Sequence, residues 1–148
     1  MEEKMTAKEY LIQIRKMERM IGIKLQRLQY WREMSLKVSG CPSKENMDPN
    51  RHIDAPFVRA YARISEIEEE LDKEISSLRE YREWLMGLIG RMPDHDERQV
   101  IELRYVHGLS WEDVSHICGY SLRWTYHIHK RGLCSLDRIM KEEGNGLQ

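Results

Sequence analysis

Proline and glycine are scarce in this chain, at four and nine among 148 residues. Phenylalanine occurs once, aromatic residues make up only 8%, and charges interrupt the sequence before any apolar run reaches membrane-spanning length. Each shortage excludes something. Too few turn formers are present for a sandwich or barrel of many short strands, and too few bulky residues for the large core of an α/β enzyme. The N-terminal MEEKMTAKEYLIQIRKMERM breaks every apolar stretch with charge, so it reads as neither a signal peptide nor a membrane span. Three cysteines, Cys41, Cys118 and Cys134, are odd in number and share no CxxC spacing, so a reduced cytoplasmic setting is expected. A large net charge is missing too. With 24 Lys and Arg against 25 Asp and Glu the total is −1, and indiscriminate affinity for a polyanion should be modest.

What the chain has instead is charge at 33% of positions, laid over apolar residues at helical spacing. From Thr6 to Val38 the series Leu11, Ile14, Met17, Ile21, Leu25, Leu28, Trp31, Met34, Val38 predicts a helix over about 6–38. Thr6 followed by Glu9 is a capping box that places its start. Three of the four prolines fall within SGCPSKENMDPNRHIDAP, which predicts a loop over 39–54. Asp54 as N-cap and Pro56 in the first turn then open a second helix over about 55–91. Its apolar positions are Phe57, Tyr61, Ile64, Ile67, Leu71, Ile75, Leu78, Leu85, Leu88, Ile89 and Met92. Neither rod can bury its stripe alone. An antiparallel helical hairpin with coiled-coil-like packing over 1–92 follows, its rival being a homodimer in which the rods pair between chains. Glu18, Arg32, Glu68 and Arg82 fall at or beside the seam and are candidates for cross-helix ion pairs. Around Gly87, Gly90 and Pro93 the pattern ends in a hinge or tight joint.

Beyond it, residues 93–140 read as a small three-helix domain ending in a helix-turn-helix, with 141–148 a flexible tail; the fold class is all-α. Val114 and Cys118 supply the buried stripe of the first motif helix, and Ser115 is small enough to admit the second. Gly119 sits where a helix must reverse and a positive φ is needed. Tyr120 packs inward, Ser121 caps the next helix, and Thr125, Ile128, His129, Gly132, Leu133 and Leu136 continue the inward face. The other face carries Leu122, Arg123, Trp124, Tyr126, His127, Lys130 and Arg131. Together with Ser121 these suit phosphates, base edges and thymine methyls in a major groove. Charge agrees with that polarity. Asp94 to Asp113 holds Asp94, Asp96, Glu97, Glu102, Glu112 and Asp113 against Arg98 and Arg104. Ser121 to Arg138 holds Arg123, Lys130, Arg131 and Arg138 against Asp137 alone.

The core PDHDERQVIELRYVHGLSWEDVSHICGYS, within Met92 to Leu133, resembles region 4 of bacterial RNA polymerase sigma factors, and more closely the sigma-like regulators of phages and prophages of Gram-positive bacteria. The resemblance covers roughly the last third of the chain. It implies a leading helix over 97–106, a supporting helix over 111–118 and a reading helix over 122–136, with double-stranded DNA as partner and RNA polymerase as a second. Ser115 stands where those factors usually carry alanine, and Thr125 where they carry an aliphatic residue.

Other chemistries are less well supported by the residues. His127 and His129 lie two positions apart, about 200° round a helix, so they cannot share a zinc ion even with Cys118 and Cys134 nearby. Cys118 reads as a small buried hydrophobe, and EIEEELDKE as a solvated helix face. No enzyme, metal or cofactor is expected. Two other functions use the same elements: a small terminase-like DNA-packaging protein, and a polymerase-binding adaptor that does not read DNA.

Overall fold

A computed structural model describes residues 4–39 and 55–146 of the chain. The loop over 39–54, the Asp54 cap and Cys41 therefore fall outside the described residues, apart from the helical Ser39. The fold is all-α. Its elements are α1 (Ala7–Ser39), α2 (Ala55–Gly90), α3 (His95–Ile101) running into a π-helical turn (Glu102–Val106), α4 (Trp111–Cys118) and α5 (Leu122–Gly146).

The capping box forms as the residues dictate. Thr6 N–H donates to Glu9 Oε2 at 2.6 Å and Glu9 N–H donates to Thr6 Oγ1 at 3.3 Å. A third free donor at this helix start, Ala7 N–H, is taken by Asp137 Oδ1 of α5 at 2.7 Å. No spacing rule announces that contact, because its partners are 130 positions apart.

Contacts divide the chain into two compact units, Met1–Met17 with Leu78–Gln148, and Glu18–Ser77. In Glu18–Ser77, α1 and α2 pack antiparallel. Lys24 bridges Glu70 at 3.1 Å and also Glu74, while Arg32 bridges Glu68 at 2.9 Å, so partner numbers fall as the first helix rises. Leu28, Ile67 and Leu71 form the buried seam, flanked by Ile21, Trp31 and Ile64. Of the four ion-pair candidates, Arg32 and Glu68 meet across the two helices. Four expected seam residues do not reach the seam: Leu25, Phe57, Tyr61 and Ile75 are exposed. At 100° per residue Leu25, Tyr61 and Ile75 stand tens of degrees to one side of the lines through Ile21 and Leu28 and through Ile64, Ile67 and Leu71, so a spacing of three or four admits them to the stripe without bringing them to the contact. Lys24, next to Leu25, turns toward α2 and is held charged chiefly by its bond to Glu74.

The other unit has one continuous core in which Ala7, Leu11 and Ile14 of α1 and Leu85, Leu88, Ile89 and Met92 at the end of α2 pack with Ile101, Tyr105, Leu136 and Ile139. The boundary expected at 92–93 thus runs through packed side chains rather than a linker. Met92 is itself buried, and Arg91 and Met92 N–H groups close a tight joint onto the Leu88 and Ile89 carbonyls at 3.1 and 3.0 Å. Tyr81 Oη donates to the Tyr10 carbonyl at 2.6 Å, and burial pushes its phenol up to about 12. Arg15 reaches the Arg104 carbonyl at 3.2 Å.

A further correction concerns the C-terminus. Residues 141–146, expected to be part of a flexible tail, continue α5. The reason is tertiary: Leu136 and Ile139 are buried in the same core as Ala7 and Leu11, Met140 packs beside them, and Asp137 caps α1. Burial on one face carries the helix past the point where sequence shows only charge and glycine.

Candidate nucleic-acid interface

Local chemistry sets each boundary of the helix-turn-helix. Asp94 Oδ1 accepts from Glu97 N–H at 3.0 Å and starts α3. Ser110 Oγ accepts from Asp113 N–H at 3.2 Å and starts α4. α4 ends at Gly119, whose φ of 73° and ψ of 28° are left-handed; its N–H bonds the His116 carbonyl, and Tyr120 N–H bonds that of Ser115 at 3.0 Å. Ser121 Oγ then accepts from Trp124 N–H at 3.1 Å, capping α5.

The inward residues take the positions read from the sequence. Val114, Ser115, Thr125, Ile128, His129, Gly132 and Leu136 are buried, with Cys118 and Tyr120 packed beside the Val100, Val114 and Ile128 cluster. Both residues that depart from the sigma pattern satisfy their hydroxyls within their own helix. Ser115 Oγ donates to the Glu112 carbonyl at 2.8 Å and Thr125 Oγ1 to the Ser121 carbonyl at 2.9 Å, so neither leaves a buried donor unpaired. Burial, followed by the nearby Asp96 charge, pushes the Cys118 thiol up.

Beneath α5 lies an aromatic layer that spacing alone did not reveal. The π turn brings Tyr105 inward, where its hydroxyl meets His129 Nε2 at 2.7 Å and its ring stacks on the imidazole. Trp111 closes on His129 edge-on at 4.6 Å between centroids, with Tyr126 against it at 5.0 Å. Arg104 lies over the same indole at 4.7 Å and donates to the Leu109 carbonyl at 2.8 Å. This layer holds the angle of α5 through rigid rings.

All eight candidate contact residues, Ser121, Leu122, Arg123, Trp124, Tyr126, His127, Lys130 and Arg131, are exposed. They are not equivalent. Arg123, His127 and Lys130 lie within about 60° of one another round α5, directly opposite the buried face. Trp124 keeps 46% of its surface exposed and stacks on His127 at 5.0 Å, which leaves its other ring face toward solvent. Tyr126 is partly committed to Trp111. Arg131 is committed as well, its Nε lying 3.4 Å from Oε1 of the buried Glu97.

Sequence reasoning passed over Arg138 as a contact, having ended the reading helix at Leu136. It lines a groove of about 540 Å³ with His127, Lys130, Arg131, Cys134 and Ser135, closed on the other side by Pro93, Asp94 and Glu97. The available signal was its charge at helical spacing from Lys130 and Arg131. His127 and His129 diverge, one stacked at the surface and the other buried on Tyr105. No family model, characterised protein or solved structure matches the chain.

Proposed function

We propose that this protein is a non-enzymatic, sequence-specific DNA-binding regulator of transcription, of phage or prophage type and acting in the cytoplasm. α5 lies in a major groove of double-stranded DNA. The observation that supports this most is the contrast between the two faces of α5. One is buried on a rigid aromatic layer; the other offers Arg123, His127 and Lys130 in line, with Leu122 and Trp124 beside them. That face combines donors for guanine and phosphate with apolar groups for thymine methyls. Asp94 to Asp113 holds six acids, whereas Ser121 to Arg138 holds one against four bases, so a polyanion approaching this stretch of α5 meets the basic side first. No helix among the described residues is long and apolar enough to cross a membrane. Contact with RNA polymerase is part of the same proposal and rests on the sigma-like motif alone.

Fluorescence anisotropy on a pool of DNA fragments from the upstream regions of the neighbouring genes, at low and at physiological salt, tests the reading. Tight, salt-sensitive binding to particular fragments is expected. Arg123→Ala should weaken it and relax the preference at one position, whereas Lys130→Ala should lower the salt slope by about one phosphate contact. Equal binding by wild type and both variants would remove this face as the contact surface. An absence of binding at either salt would overturn the function itself.

A further inference from the structure

Basic residues continue along the outward face of α5 past the helix-turn-helix. Lys141 follows Arg123 by about five full turns and so points the same way, with Lys130 about 20° and Arg138 about 60° from that line. All four are exposed, and none has a carboxylate at ion-pair distance among the described residues.

The packing of α1 adds a cation that no spacing along α5 contains. The bond from Ala7 N–H to Asp137, with Ala7 and Leu11 buried beside Leu136 and Ile139, sets the start of α1 against the end of α5. Lys4 is carried with it. Its Nζ comes within 3.5 Å of a Cβ built on Gly144, and Lys4 and Lys141 line one cleft with Thr6, Tyr10 and Asp137. The acids nearby offset this little: Asp137 already accepts from Ala7 N–H, and Glu142 and Glu143 stand about 100° and 200° round the helix from Lys141. Lys4, Arg138 and Lys141 thus form a cluster whose self-repulsion a bound polyanion would relieve.

Length decides which part of a duplex this cluster meets. Measured along α5 from Arg123, Lys130 is about 10 Å away, Arg138 about 22 Å and Lys141 about 27 Å. A major groove is about 12 Å wide and curves away round the duplex. With Arg123 and Lys130 over base edges, α5 therefore carries Arg138 and Lys141 out past the rim, to the sugar–phosphate strand that borders the groove. Lysine and arginine only donate, which suits phosphate oxygens and conveys no sequence information.

We propose that Lys4, Arg138 and Lys141 form a second DNA contact, a clamp on phosphodiesters of the strand flanking the groove that α5 reads. The proposal rests on the reading of DNA by α5 and adds a site outside the helix-turn-helix.

The test compares the full chain with Lys4→Gln, Arg138→Gln and Lys141→Gln combined, by anisotropy on a preferred fragment and on unrelated fragments. All three side chains are exposed, so helical circular dichroism should be unchanged. The variant should lose affinity on every fragment alike, with the slope of log affinity against log salt lower by about two to three. A second measurement varies the duplex. Extending the shortest fragment that still binds by about ten base pairs, one helical turn, on either flank should tighten wild type and leave the variant unchanged. An unchanged salt slope, a loss confined to one sequence, or equal gains from the longer duplex would each overturn the clamp while leaving the reading of DNA by α5 in place. Wild type that binds no DNA at either salt would remove that reading and the clamp together.

Discussion

Tyr105 Oη and His129 Nε2 stand 2.7 Å apart under α5, with the two rings stacked at an interplanar angle of 26°. The pair joins the π turn after α3 to the middle of α5 and leaves the imidazole almost without water. Burial, then the positive charges of Lys8 and Arg104, lowers the His129 pKa to about 4.

That depression makes stability depend on pH with a definite sign. An unfolded histidine titrates near 6.5, so between about 6.5 and 4 the unfolded chain takes up a proton that the native one refuses. The contribution of His129 is complete above that window and is lost as pH falls through it, by on the order of 2–3 kcal/mol. Urea unfolding at pH 7.5 and 4.5 should show the loss. His129→Phe should lower stability at pH 7.5 yet reduce the pH dependence; an unchanged slope would place the proton uptake elsewhere.

Gly119 is tested by conformation rather than by space. Nothing lies within 4 Å of a Cβ built there, but its φ is +73°. Gly119→Val should therefore cost about 1–2 kcal/mol through the left-handed backbone alone, and Gly119→Asn distinctly less. Thermal denaturation of the two variants side by side measures the difference.

Gly132 presents the opposite case. A Cβ there would sit 3.0 Å from Cγ1 and 3.3 Å from Cδ1 of Ile101, whose side chain is fully buried. Gly132→Ala should nearly balance, since closer packing is set against a helix-propensity gain of about 1 kcal/mol. Gly132→Leu should cost more than about 2 kcal/mol, with part of the loss recovered by Ile101→Ala. Denaturant midpoints of the four proteins would measure how tightly α3 and α5 approach each other at this glycine.

Arg131 should contribute less to DNA affinity than Lys130 because Glu97 already holds its guanidinium. Releasing it reverses that. Glu97→Gln should tighten binding roughly two- to fivefold and steepen the salt dependence, in keeping with an ion pair worth about 0.5–1 kcal/mol. Anisotropy titrations on one preferred fragment would check both statements, and weaker binding by Glu97→Gln would assign the carboxylate a supporting role in the fold.

Much of the architecture was legible because it is local. The Thr6–Glu9 capping box, the Ser121 cap, the limits of α4 and the left-handed Gly119 depend on neighbours a few positions away. The inward order of Thr125, Ile128, His129, Gly132 and Leu136 follows from a period of 3.6. Phase over a long rod is less secure. A spacing of three or four admits residues that stand tens of degrees off the contact line, and so Leu25, Tyr61 and Ile75 read as seam residues while Lys24 did not.

By itself the sequence determined the all-α class, the helices, the turn and the division of α5 into an inward and an outward face, because backbone geometry converts spacing directly into direction. Tertiary structure alone decided that Asp137 caps α1, that Glu97 holds Arg131, that Tyr105 shelters His129 and that α5 runs on to Gly146. Each of those depends on residues far apart in the chain, whose contact is set by how whole helices pack and not by any interval between letters.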